Sequence, residues 1–163
     1  MAVVGVRGGR YAEGKLLSFS PRTIEMAPLP QSVPEGIVNE FREAEVCASA
    51  GSFRAALALL RSVLEKTLKA NGYTKRHLKD NIDDAAADGM ITAARSRKAH
   101  SELRDLGNDV LHDKWRVVVE DEVEAAHRYA QRILEDLYDD RPGVEATLRE
   151  KGRTFAITTS EEK

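Results

Sequence analysis

Phe53, Ala56, Leu57, Leu60, Leu64 and Leu68 recur at steps of three and four residues. Apolar residues at that spacing line one side of an α-helix. A stripe this long is not left in water, so other elements of the chain must cover it, and the remaining patterns show that those elements are helices. Ser52 opens the striped segment and Asn71-Gly72 ends it. Ahead of it, Ile37, Phe41, Ala44 and Ala48 predict a helix that starts after Pro34, with Ser32 as its cap and Gly51 as its stop. Behind it, a shorter helix is expected to begin at about Thr74, to carry Leu78, Ile82 and Ala86, and to end at Gly89. A longer one is predicted from about Ile91 to His112, with Ala94, Ala99, Leu103, Leu106 and Val110 facing inward. A last long helix follows Val117-Val118-Val119 and places Val123, Ala126, Ala130, Ile133, Leu134 and Leu137 on one face.

The flanks read differently. Ala2–Val6 and Lys15–Phe19 are short extended-looking runs with a glycine-rich stretch between them, a pattern that predicts a small hairpin. Pro21, Pro28, Pro30 and Pro34 keep the chain out of regular structure before the first helix. Arg141-Pro142-Gly143 breaks the last long pattern ahead of a short helix over 144–151. The division expected is an extension over 1–33, a helical domain over 34–140, and a short helix with a tail over 141–163. Helices joined by brief connections predict an all-α fold, an antiparallel bundle of four to five helices.

Composition excludes several function classes. The net charge is −2 over 163 residues, which argues against a protein living by bulk neutralisation of phosphates. The single cysteine, Cys47, forbids an intrachain disulfide and a cysteine-based zinc site, and its alanine neighbours predict a buried thiol. His77, His100 and His127 show no spacing diagnostic of metal ligation, so no metal and no cofactor are expected. No segment approaches the length of a membrane span, and no secretory leader is evident, so a cytoplasmic protein without membrane contact is expected. Charge is unevenly spread: Arg95, Arg97, Lys98, His100 and Arg104 form a basic cluster, a candidate contact for nucleic acid through Arg95, Arg97 and Lys98.

Arg104-Asp105-Leu106-Gly107-Asn108-Asp109-Val110-Leu111-His112 places a glycine and an asparagine where a plain helix favours neither. At about 100° per residue, Arg104, Asn108 and His112 form a row apart from the one made by Leu103, Leu106 and Val110. Leu111 falls on the polar side, and an apolar residue there suggests that the face is covered. A second copy of the chain related by a two-fold axis is the natural cover, so a homodimer is expected.

Glu43-Ala44, Arg61-Ser62-Val63-Leu64-Glu65, and the run from Leu103 through His112 together resemble the domain of unknown function 4145 family, which is grouped with the HEPN superfamily of helical bundles. The resemblance covers about residues 30–140. It implies a dimeric bundle. It further implies kinship with metal-independent ribonucleases of toxin, antiphage and RNA-processing systems, whose site pairs an arginine and a following polar residue with a histidine. Relatives of this family often accompany restriction enzymes. Arg104, Asp105 and His112 match that motif in kind, with more intervening residues than is usual.

Metal-free RNA cleavage needs a base for the 2′-hydroxyl and a cation for the strained phosphate. Histidine suits the first, with a reference pKa of about 6.5, and arginine the second. One reading therefore makes His112 the general acid/base, Arg104 the phosphate ligand, and Asn108 the residue that orients them, supported by Asp105, Arg61 and Glu65, with RNA as substrate and an antitoxin as expected partner. In the other, His112 caps a helix end, Arg104 pairs with a nearby carboxylate, and the bundle is a non-catalytic dimeric module accessory to a restriction or defence system. Arg61 and Glu65, spaced to meet on one helix face, are expected to form a partly buried pair.

Overall fold

The structure, a computed structural model, describes residues 8–12, 15–20, 26–97 and 117–156, the first two segments by their backbone alone. Pro34 leads into α1 (Glu35–Ser49), and its carbonyl accepts the N–H groups of Ile37 and Val38 at 2.9 and 3.1 Å. Ser32, expected to cap this helix, instead donates its hydroxyl to the carbonyl of Tyr138. The proline already supplies the helical entry, which leaves Ser32 to tie that entry to a distant part of the chain.

α2 (Phe53–Ala70) carries the stripe and buries Ala56, Leu57, Leu60, Leu64 and Leu68, together with Val63 and Thr67. Phe53, the first residue of the stripe, is only half-buried. Gly72 then takes φ +86°, a left-handed conformation that closes the helix end. α3 is Leu78–Ala87, shorter than expected at its start. Asn81 explains the difference: its Oδ1 accepts the N–H of Lys75 at 2.7 Å and its Nδ2 donates to the Lys75 carbonyl at 3.0 Å. Those bonds hold the segment before Leu78 as a loop. Ala85, rather than Ala86, is fully buried on the inner face of α3.

Ile91 is buried and residues 93–97 are helical, but Ala94, expected inward, is exposed while Ser96 is buried. Polar contacts set that orientation. Ser96 donates its hydroxyl to Asp83 at 3.1 Å, and Arg95 bonds Asp136. Ala99, Leu103, Leu106 and Val110 lie outside the described residues.

α4 (Glu120–Tyr138) buries every apolar position expected of it and adds Tyr129 and Tyr138. Glu122 accepts the N–H of Val119 at 3.0 Å and so closes its first turn. α5 is Arg141–Glu150, and the Arg-Pro-Gly expected to precede it forms its first turn instead. Proline is admitted there because first-turn N–H groups have no intrahelical partner, and the Asp140 carboxylate accepts the N–H of Gly143 at 3.4 Å. Val144 and Leu148 join the same core as α1, α2 and α4.

β1 (Gly8–Ala12) and β2 (Lys15–Ser20) pair antiparallel, Gly8 opposite Ser20 and Ala12 opposite Lys15, with an irregularity between Arg10 and Tyr11. The first strand therefore includes Gly8-Gly9, expected to be part of the connection. Lys15 pairs with Ala12, only three positions earlier, so the partner strand is the stretch immediately before it in sequence. Residues 2–6 lie outside the described residues. Beyond this hairpin the regular elements of the described residues are all helices: α2 packs on α1 along one side and on α4 along the other.

Candidate functional site

Arg104, Asp105, Asn108, His112 and Lys98 lie outside the described residues. Four other residues expected at or near the site are described. Arg61 and Glu65 do meet, Nε to Oε1 at 2.9 Å on α2. Arg61 is 22% exposed and Glu65 47%, so the pair is partly buried at its arginine, as expected, and open to water at its carboxylate, worth a few tenths of a kcal/mol. Arg95, expected to face nucleic acid, is bonded to Asp136 on α4, with both side chains half-buried. Its charge tethers the helical run at 93–97 to α4. Arg97 is exposed.

A polar group not singled out from the sequence lies at the opposite end of α1. Glu45 is 2% exposed. Its Oε1 accepts the backbone N–H of Ala27 at 3.0 Å and lies 2.9 Å from His127 Nε2. Its Oε2 accepts Arg42 at 2.8 Å. One carboxylate thus joins the entry strap, α1 and α4. Three partners on its two oxygens offset the desolvation cost of burying the charge. The His127 ring lies 4.8 Å from that of Phe41, centroid to centroid. The sequence held a signal for this: Glu45 follows Phe41 by one turn, so a carboxylate occupies the apolar register of α1.

Beside this group a half-open hollow of about 190 Å3 is walled by Ala44, Ala48, Phe53, Leu60 and Val123. Glu45, Ser49 and His127 line it too, as do Glu120, Glu124 and Arg128. Ser49 donates to the Val46 carbonyl at 2.7 Å. Cys47, expected to be buried, is half-buried and free, because its position falls between the apolar face of α1 and the outer one.

The family described as Domain of unknown function (DUF4145) matches residues 42–156, well over half of the chain. The chain belongs to the DUF4145 family. The match begins within α1, takes in Arg104 through His112, and runs past α5. No curated protein and no solved structure matches the chain. Among the described residues of this DUF4145 chain, no group of three or more histidine, cysteine or acidic side chains is placed to hold a metal ion. Nor is any described helix long and apolar enough to cross a membrane.

This DUF4145 chain also buries a cation, at the far end of α2. Arg141, 7% exposed, donates to Glu145 at 3.1 Å, to the carbonyls of Leu137 and Ala156 at 3.4 and 3.1 Å, and to Asn71 Oδ1. Its guanidinium lies 5.0 Å from the Tyr138 ring and 5.5 Å from that of Phe155. Ala156 returns an N–H to the Ala70 carbonyl at 2.8 Å. Nearby, Tyr73 donates to Asp88 at 3.2 Å, and Asp88 also takes Arg153 at 2.8 Å. Burial, and then the Asp88 charge beside it, push the Tyr73 hydroxyl well above the ordinary tyrosine range. Burial raises Tyr138 as well, against the opposing pull of Asn71 and Arg141.

Proposed function

We propose that this protein is a HEPN-like, dimeric helical module that serves a restriction or defence system through protein contacts rather than through catalysis. The observation that carries the reading is the bond between Arg95 and Asp136. The basic cluster is the chief sequence argument for nucleic-acid contact, and its first arginine is spent on holding the bundle together. Val46, Val117 and Val119 are large apolar residues open to solvent, and they suit a surface that meets protein. The HEPN kinship, the dimer and the defence context rest on the sequence resemblance.

A second reading, metal-independent RNA cleavage by Arg104, Asn108 and His112, is favoured by the family match, which spans all three residues. One experiment separates the two: incubation of a mixed RNA pool with the purified chain in EDTA, beside His112→Ala, with the mass in solution measured on the same samples. The module reading expects a dimer and intact RNA. RNA bearing 2′,3′-cyclic phosphate ends, lost with His112→Ala, would establish the ribonuclease instead.

A further inference from the structure

The hollow beside Glu45 is used by neither reading. At about 190 Å3 it exceeds the roughly 150 Å3 of an apolar cavity that accepts benzene. Ala44, Ala48, Phe53, Leu60 and Val123 wall it, so it has room for a compact apolar group about the size of one ring. Ala44 and Ala48, one turn apart on α1, present only methyl groups to it, and the rest of the apolar wall comes from α2 and α4.

The polar groups of the lining decide whether such a molecule carries charge. Glu45 already holds Arg42, His127 and the N–H of Ala27. Glu124 pairs with Arg128 at 3.2 Å on the exposed rim, and Ser49 donates to the Val46 carbonyl at 2.7 Å. Glu120 has an interaction of its own. Every polar side chain of the lining is thus engaged within the protein, and none is left over to meet a charged group. An ammonium or a carboxylate entering the hollow would give up hydration without gaining a partner, or would have to displace one of these contacts. Water fares little better, because the apolar walls offer it no hydrogen bonds. Displacing water held so loosely by an apolar group favours binding.

We propose that this hollow binds a compact, uncharged apolar molecule of one-ring size. The molecule lies against Ala48, Phe53, Leu60 and Val123, and its open side faces the paired charges of the rim. The inference is independent of the functional reading above, since it uses no residue of the Arg104–His112 row and no dimer.

The test is a titration of the full chain, isotopically labelled, with toluene, benzylamine and benzoate at neutral pH, followed by amide chemical shifts. Toluene is expected to give saturable shifts at Ala48, Phe53 and Val123, with an affinity on the order of millimolar. Benzylamine and benzoate, similar in shape but charged, should each bind at least about tenfold more weakly. Ala48→Leu fills the space and should abolish toluene binding. Should that variant fail to fold, Phe53→Ala, at a half-buried position, removes one apolar wall and should weaken toluene severalfold. Glu124→Gln, altered on the exposed rim, should leave toluene unchanged. Either ion binding as tightly as toluene, shifts confined to other surfaces, no saturable shift by toluene, or undiminished binding by Phe53→Ala would each overturn the proposal.

Discussion

Glu45 and Arg141 are both charged side chains taken out of water, near opposite ends of α2, and they are held in different ways. Arg141 is closed in on all sides: side chains, backbone carbonyls and two aromatic rings meet its guanidinium. Glu45 has its carboxylate satisfied but borders a hollow. A buried charge sealed by its partners serves mainly to fix one arrangement of the chain, because removing it strands every partner at once. A buried charge beside open volume leaves its partners a way back to water, and leaves room for something else to approach. The Arg141 end is a lock; the Glu45 end resembles a socket.

The largest expected effect is at the lock. Arg141→Ala leaves Asn71 Oδ1 and the carbonyls of Leu137 and Ala156 without their donor, and should cost about 3–5 kcal/mol in urea denaturation. Glu45→Gln removes the charge while keeping an acceptor for Ala27, and Arg42 and His127 can be rehydrated, so about 1.5–3 kcal/mol is expected. A larger loss for Glu45→Gln than for Arg141→Ala would break the comparison. The glycines at the two ends of α2 sharpen it. A Cβ on Gly72, at φ +86°, would come 2.7 Å from the Thr154 carbonyl oxygen, whereas one on Gly51, at φ +74°, meets nothing within 4 Å. Gly72→Ala should therefore cost about 2–3 kcal/mol and Gly51→Ala about 1 kcal/mol, the backbone strain alone.

The smallest effect concerns alkaline pH. Tyr73 holds its proton more tightly folded than unfolded, so below the unfolded pKa of about 10 its contribution is fully present. As pH rises past that value the unfolded chain gives up the proton first, and stability falls until the folded group titrates too. Alkaline melts should show this decline, shallower in Tyr73→Phe; an unchanged slope would mean that another group governs it.

Much of this arrangement was legible in the residues. The stripe on α2 and the apolar face of α4 are periodic enough that only helices satisfy them, and both are buried as their spacing required, Phe53 at the start of the stripe only in part. What escaped prediction was set by side-chain bonding that periodicity does not record. Asn81 delays α3, Pro34 frees Ser32 from capping, and Arg95 and Ser96 turn Ala94 outward. Glu45 was readable in principle, as a carboxylate in an apolar register, but its partners Ala27 and His127 lie 18 and 82 residues away in sequence. Arg104, Asn108 and His112 stand on sequence and family alone.

The bond from Arg141 to Asn71 spans 70 residues of chain. At synthesis rates of 5–20 residues per second, Asn71 waits roughly 4–14 s for its partner to be made. α1, α2 and α3 can pair during that interval, but Asn71, at the C-terminal end of α2, lacks Arg141 and Tyr138 until α4 and α5 arrive. That end is where a growing chain is most open to capture by a chaperone or by a neighbouring copy. The seal over it forms only after residues 138–156 have been made.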